Sequence, residues 1–305
     1  MGSIFVSVAS YRDPDCKNTI EDLFNKADDA DRVFVGLCQQ NEPGIEDECG
    51  VLRDSKFQSQ VRVMTMNRRD ARGPTFARFL CSTLWRGERY YLQIDSHMRF
   101  VQGWDTKLIS LLTKTQAISD KPVISTYPTD LKNLAAFESG DVAAVEHVPR
   151  IMSAKLEDNG MVRFVGALMM KRGEELTSSP FAAAGFMFTE AQPFLSEVPF
   201  DPYLDDVFSG EEVLLSARLY THGFDVFAPN ENVTFHKYIR DGEPKFWENE
   251  RNDAEGTARA KYFLGMSYDK PKLSTKQLSR FGLGGARPVS NFWELVGLDP
   301  RPSIV

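Results

Sequence analysis

Over its first 115 residues the chain alternates between two hydrophobic periods, and that alternation limits the folds open to it. Short apolar runs at 3–10 ("SIFVSVAS"), 32–39 ("RVFVGLCQ"), 61–66 ("VRVMTM") and 89–95 ("RYYLQID") have the length and the aliphatic and aromatic content of strands. Between them, segments near 17–27, 74–87 and 103–114 read as helices. In the second of these, Phe76, Leu80 and Leu84 share one helical face, Pro74 suits the first helical position and Gly87 suits a left-handed stop. Strands alternating with helices predict an α/β sheet with helices packed on it.

The second half is less regular. Strands are expected at "VISTYP" (123–128), "VRFVGALMM" (162–170), "AAGFMFT" (183–189), "DVFAP" (225–229) and "NVTFH" (232–236), with a helix near 210–222 bounded by Gly223. Beyond residue 240 the composition turns charged and rich in Gly and Pro, with a further helix near 250–264. No internal repeat or low-complexity linker interrupts the chain. The expectation is one catalytic domain over 1–240 and an extension over 241–305 packed on it. "GLGG" at 282–285 follows no strand of a βαβ unit and reads as a turn.

Composition excludes some partners. A net charge of -7 argues against nucleic acid or an anionic membrane as a general partner, so any anion site must be a local cluster of Arg and Lys. No apolar run approaches the roughly 20 residues of a spanning helix. The first residues lack the basic flank and cleavage site of a secretion signal, so a cytoplasmic location is expected. Cys16, Cys38, Cys49 and Cys81 show no CxxC spacing and are read as reduced thiols. The sequon at Asn232 lies in an expected strand and is read as accidental.

The strand "RYYLQID" ends on Asp95, and His97 follows two positions later. Side chains two apart on an extended chain point the same way, so both can converge on one point past the strand's carboxyl end. That edge is where open α/β sheets bind ligands. A carboxylate with an imidazole suits a borderline cation such as Mn²⁺ and leaves positions open for substrate oxygens. The competing reading is that Asp95 merely ends the strand and His97 caps a loop. Arg68, Arg69, Arg72 and Arg78 cluster just upstream, where guanidinium groups could take a diphosphate or form an ordinary solvated surface. Arg78 is singled out because its helix leads into the Asp95 strand. Downstream, "NVTFHKYIR" supplies His236 as a third ligand and Lys237 as a phosphate contact.

Taken in order, "ARGPTFAR", "LQIDSHMRF", "GWD", "AAAGFMF", "FDPYLDDVFSGEEVLLSARLYTHGF" and "PNENVTFHKYIR" resemble the polypeptide N-acetylhexosaminyltransferases. The opening "SVASYRDPDCKNTIEDLF" and the helix "ARGPTFARFLCSTLW" resemble most a cytoplasmic sister group with bacterial relatives, the N-acetylglucosaminyltransferases that modify hydroxyproline. The resemblance runs from about residue 3 to 240. It implies a GT-A glycosyltransferase fold with a mixed central sheet flanked by helices, and a retaining transfer of GlcNAc from UDP-GlcNAc to a hydroxyl of a protein or peptide acceptor.

By the same resemblance, Asp95, His97 and His236 would hold Mn²⁺ against the diphosphate. Ser10, Tyr11 and Arg12 would line the uridine pocket. Arg78 would face the sugar or diphosphate, and Gly185 would allow the sugar to approach. Glu211 matches the family's sugar-gripping glutamate. Glu212 stands where the family has asparagine, and Ser209 with Glu212 also spells a capping box for the following helix. His147 is read as a loop residue and His222 as a partner for a helix C-terminus. Alternatives are a UDP-sugar binder without turnover, a metal-dependent hydrolase, or transfer of GalNAc or another hexose to a non-protein acceptor.

Overall fold

A computed structural model describes residues 2–46, 48–52, 55–141, 146–249 and 252–301. Its centre is a mixed eight-stranded sheet. The strands are β1 (Ile4–Tyr11), β2 (Val33–Asn41), β3 (Val61–Asn67), β4 (Tyr90–Asp95), β6 (Pro122–Ser125), β10 (Thr177–Ser179), β11 (Phe186–Glu190) and β12 (Asp225–Ala228), in the order β10-β12-β6-β11-β4-β1-β2-β3. β1 runs parallel to β2 and β4, with Ala9 beside Asp95. β11 lies antiparallel to both β4 and β6, which makes the sheet mixed.

The periods read from the sequence explain these elements. Ile4 through Val8 are all buried, as a strand covered on both faces requires. Helix α1 (Cys16–Lys26) buries Cys16, Thr19, Ile20, Leu23 and Phe24 on one face. Helix α2 (Pro74–Ser82) starts at Pro74 as expected, after Gly73 at φ 96°. It stops at Thr83, short of Gly87. Arg62 Nη1 donates to the Leu84 carbonyl and Trp85 Nε1 to the Glu88 carbonyl, so side chains satisfy the turn that follows the helix. Helix α3 (Trp104–Thr115) begins after Gly103, where φ is 70°.

Two smaller sheets complete the frame. One joins β5 (Met98–Phe100), β13 (Thr234–His236) and β7 (Thr129–Asp130) in the order β5-β13-β7, with His236 opposite Met98. The other is a long antiparallel ribbon of β8 (His147–Leu156) and β9 (Val162–Lys171). His147 is therefore the first residue of a strand and not a loop residue. The tail of β8 does carry a strand signal, the apolar–polar alternation from Met152 to Leu156, although those residues are mostly exposed.

Four further helices follow α3, namely α4 (Leu134–Glu138), α5 (Ala191–Glu197), α6 (Glu211–Thr221) and α7 (Ala254–Phe263). Of the helix expected near 250–264, residues 250 and 251 lie outside the described residues. Helices α8 (Leu278–Phe281) and α9 (Val289–Val296) come from the tail. Their Phe281, Phe292 and Trp293 share one buried cluster with Val213 and Leu214 of α6, so the C-terminal segment closes the same core that positions α6. The four cysteines are buried and free of disulfides. Asn232 is buried, accepting from Thr129 Oγ1 at 2.6 Å and donating to the His147 carbonyl, which supports reading its sequon as accidental. Among the described residues no helix is long and apolar enough to cross a membrane.

Candidate active site

Parallel pairing of β1 with β4 aligns their carboxyl ends, and three groups of residues collect at that edge. The chain turns sharply after Asp95 so that β5 can pair with β13, which delivers His236 from the far end of the polymer. The Lys237 N–H donates to the His97 carbonyl at 3.1 Å and fixes this crossing. Potential ligand atoms of Asp95, His97 and His236 all lie within 4.8 Å of one another. Asp95 Oδ2 is 3.2 Å from His236 Nε2, and the two imidazole centroids are 4.6 Å apart.

The groups behind these side chains were not anticipated from the sequence. Asp13 Oδ2 receives Ser96 Oγ at 2.6 Å and lies 2.7 Å from His97 Nδ1. Arg240 approaches the same oxygen at 3.4 Å. Burial pushes the Asp13 carboxyl up, but the hydrogen bond and charge of His97, with Arg240, bring it down to about 2. An ionised Asp13 accepts the Nδ1 proton of His97 and leaves the Nε2 lone pair free to ligate, as outer carboxylates do for histidine ligands. The signal for Asp13 was its place in "YRDPD", just past the end of the strand beside β4.

Asp95 is likewise kept ionised. Burial opposes its charge, but the hydrogen bond to His236 and the neighbouring His97 and Arg78 hold the carboxyl well below the usual range. His236 Nδ1 is buried without a hydrogen-bond partner, an unusual state for a polar atom. One ionised carboxylate and two imidazoles form a donor set suited to a divalent cation of the Mn²⁺ or Zn²⁺ kind. The residues present therefore fit such an ion.

A further cluster of charged residues lies beyond the carboxylate. Arg78, buried on α2, places Nη1 2.6 Å from Glu211 Oε2 and Nη2 3.4 Å from Asp95 Oδ1, so one guanidinium spans both acids. Thr75 Oγ1 adds a 3.3 Å contact to Glu211. Burial pushes the Glu211 carboxyl up to about 7, against the pull of Arg78 and with the help of Glu212 and Asp95.

The capping box is absent. Gly210 occupies the N-cap of α6 at φ 100°, and Glu212 reaches away from its own helix. Its Oε1 accepts the Ala184 N–H at 2.8 Å and its Oε2 the Tyr127 hydroxyl at 2.6 Å. Both oxygens are thus engaged by protein. Tyr127 was missed because nothing in "STYPTD" marks it. A Cβ at Gly185 would stand 2.6 Å from Asp95 Oδ2, so the position also makes room for that carboxylate.

Ser10 is buried at the end of β1, and its Oγ has no hydrogen-bond partner. The other expected residues have partners of their own. The Tyr11 hydroxyl accepts from Asn249 Nδ2 at 3.0 Å, and its ring meets Phe246 edge-on. Arg12, at φ 49°, pairs with Glu46 at 2.6 Å. Lys237 pairs with Glu243, which occupies the ammonium expected to touch phosphate. Arg68 and Arg69 pair with Glu42, and Arg72 with Asp205. Only Arg78 of the upstream arginines reaches the Asp95 carboxylate. His222 caps α6 with Nδ1 2.8 Å from the Arg218 carbonyl, and burial lowers its affinity for a proton, so it serves as a hydrogen-bonding group and not as a charge.

A family model described as glycosyltransferase (GlcNAc) matches residues 3–56 and 46–302. No curated protein matches. Among solved structures, the chain is similar to GalNAc-T7 with UDP, GalNAc and Mn²⁺, at a TM-score of 0.66 and 13% identity over 97% of this chain and 57% of that one. It is also similar to S. aureus TarS 1–349 in complex with UDP-GlcNAc, at a TM-score of 0.53 and 9% identity over 83% of this chain and 63% of that one. The chain thus spans less than two thirds of either. The likeness concerns the fold, and the fold is the GT-A type expected.

Proposed function

Since the chain belongs to the glycosyltransferase (GlcNAc) family, we propose that it is a metal-dependent, retaining enzyme that moves GlcNAc from UDP-GlcNAc to a hydroxyl of a protein or peptide. The observation that carries this reading is the convergence of Asp95, His97 and His236 at the sheet edge, with Asp13 setting the tautomer of His97. The family description and the UDP-GlcNAc bound to TarS support the donor. The Mn²⁺ and UDP bound to GalNAc-T7 support the cation and the nucleotide. In this reading residues 1–240 form the transferase unit, 241–305 pack on it, and the enzyme works in the cytoplasm.

The chemical task is to break the anomeric carbon–oxygen bond while negative charge grows on UDP and positive charge on the sugar. A divalent cation held by Asp95, His97 and His236 would supply Lewis acidity toward the diphosphate. Arg78 supplies a buried positive charge, already aligned by Glu211 and Asp95, so little reorganisation is needed as charge develops. Glu211 has the free valence to grip sugar hydroxyls. Glu212, with both oxygens satisfied, holds the Ala184–Gly185 backbone against the helix. Ser10, Tyr11 and Arg12 line the nucleotide side. The acceptor hydroxyl attacks from the face the leaving group departs, and the departing phosphate takes its proton, so no separate base is needed.

UDP release from UDP-GlcNAc with Mn²⁺, compared between wild type and Asp95→Ala, tests the activity. A panel of UDP-sugars with peptide acceptors, read by intact mass, tests the substrates. Addition of one N-acetylhexosamine to a peptide, lost in the variant and with EDTA, is expected. UDP binding without turnover would leave only a binding protein, and free sugar without a peptide product would make it a hydrolase.

A further inference from the structure

Two buried arginines meet where the C-terminal segment closes over α6, and the proposed chemistry uses neither. Arg218 projects from α6 and Arg259 from α7, and they are 3% and 0% exposed. Arg259 donates through Nε to Asp201 at 2.6 Å and through Nη1 to the Ser274 carbonyl at 2.7 Å. Arg218 donates through Nε to the Gly282 carbonyl at 3.3 Å. Both guanidinium groups therefore grip the same stretch of the tail, residues 274–282. The rings of Tyr203 and Phe263 flank Arg259, with centroids 5.2 and 5.1 Å from its guanidinium carbon. A Cβ at Gly282 would stand 3.3 Å from the Phe263 ring. Phe263 thus packs against both Arg259 and the residue that Arg218 holds.

The charges here do not balance. Among the described residues, Asp201 is the one carboxylate that pairs with either arginine; it is wholly buried and pairs with Arg259. Two guanidinium charges against one carboxylate leave one positive charge in the interior. Burial pushes the Arg218 guanidinium down to about 10, against the pull of Asp201 and with the help of Arg259 and Arg280, so it stays charged at neutral pH. Lys276 adds another cation, 5.5 Å from the Tyr203 ring. The Nη2 atoms of Arg218 and of Arg259 are both buried and have no hydrogen-bond partner. An unpaired buried ion is strongly disfavoured, and buried donors without a partner are rare. Two such donors on neighbouring cations mark a place for an acceptor that the chain does not itself provide.

We propose that a chloride ion binds at the Arg218 and Arg259 guanidinium groups and fastens the C-terminal segment onto α6. One negative charge restores neutrality, whereas a dianion such as sulfate would overshoot it. A spherical acceptor also takes N–H donors from any direction, so both Nη2 atoms can reach it. Helix α6 begins at Glu211, and the ion would steady that helix from its opposite end. The site needs no sugar donor, divalent cation or acceptor, and it stands apart from the transferase reading.

Urea unfolding in EDTA at about 150 mM potassium chloride, bromide or gluconate holds the screening constant and changes only the anion. Gluconate is too large for a site closed to solvent. Either halide should raise the folding equilibrium constant of wild type about tenfold over gluconate, as a ligand confined to the native state does. Arg218→Met removes the surplus charge, and its stability should differ by less than about twofold among the three salts. A wild-type crystal soaked in bromide should give an anomalous peak between the two Nη2 atoms, which reads the site even where the variant fails to fold. Equal stability of wild type in all three salts would overturn the proposal. So would an equal halide effect in both proteins, or a water without anomalous signal at that place. Absence of UDP release would remove the transferase reading and leave each of these measurements standing.

Discussion

Asp13 Oδ2 sits 2.7 Å from His97 Nδ1, although 84 residues separate the two along the chain. The contact decides which nitrogen of His97 is free to ligate. Replacing Asp13 by alanine leaves His97 in place without its orienting carboxylate. Mn²⁺ affinity by isothermal titration should fall by about 10- to 100-fold, the usual effect of losing such a partner, whereas Asp95→Ala should abolish it. Unchanged affinity in Asp13→Ala would show that His97 is not a ligand through Nε2.

The Gly185 position leaves no room for a methyl group. An alanine Cβ would meet Asp95 Oδ2 at 2.6 Å, and either the β11 entry or the carboxylate must move. Gly185→Ala should cost about 1–3 kcal/mol in chemical denaturation, as overpacking does. It should also weaken Mn²⁺ binding more than UDP binding. Equal losses for both ligands would count against Gly185 acting through Asp95.

Tyr127 and Glu212 make a second local test. Removing the hydroxyl in Tyr127→Phe strips Glu212 Oε2 of its 2.6 Å partner. The unpaired oxygen should cost about 1–3 kcal/mol, seen as a lower denaturant midpoint. The KM for the UDP-sugar donor should rise, because the Ala184–Gly185 backbone is tethered through the same carboxylate. A normal KM together with lower stability would restrict Tyr127 to a structural role.

Glu211 gives the pH dependence. In the folded protein burial pushes its carboxyl up to about 7, above its ordinary value of 4.5. The native state therefore keeps a proton that the unfolded chain releases. The resulting stability is complete below about 4.5 and is lost as the pH rises through about 7, at most about 3 kcal/mol. Urea unfolding in EDTA at pH 5 and 7.5 should show this fall in wild type and a smaller one in Glu211→Gln. The same fall in both would assign it to other groups.

Much of this arrangement was legible because it is local or periodic. The apolar runs of β1, β2, β3 and β4 lie within a residue or two of where hydrophobic spacing put them, and Asp95 and His97 follow from where β4 ends. Pro74 opened α2 as its chemistry required. What escaped were relationships across the chain. Asp13, Tyr127 and the Lys237–Glu243 pair take their roles from neighbours far off in sequence or from a short turn with no periodic signal. Ser209 and Glu212 spelled a capping box, but Gly210 at positive φ started the helix and released Glu212 to the loop before β11. Tertiary demand for the carboxylate overrode the local motif.

The pairing of β5 with β13 brings Asp95 and His236 together across 141 residues of intervening polymer. A cation seated between them would tie the two ends of that span directly, much as a covalent bridge restricts an unfolded chain. Occupancy at 100 times the dissociation constant would add about 2.7 kcal/mol to the native state. The supply of metal would then govern how long the whole molecule persists against proteases as well as how fast it turns over.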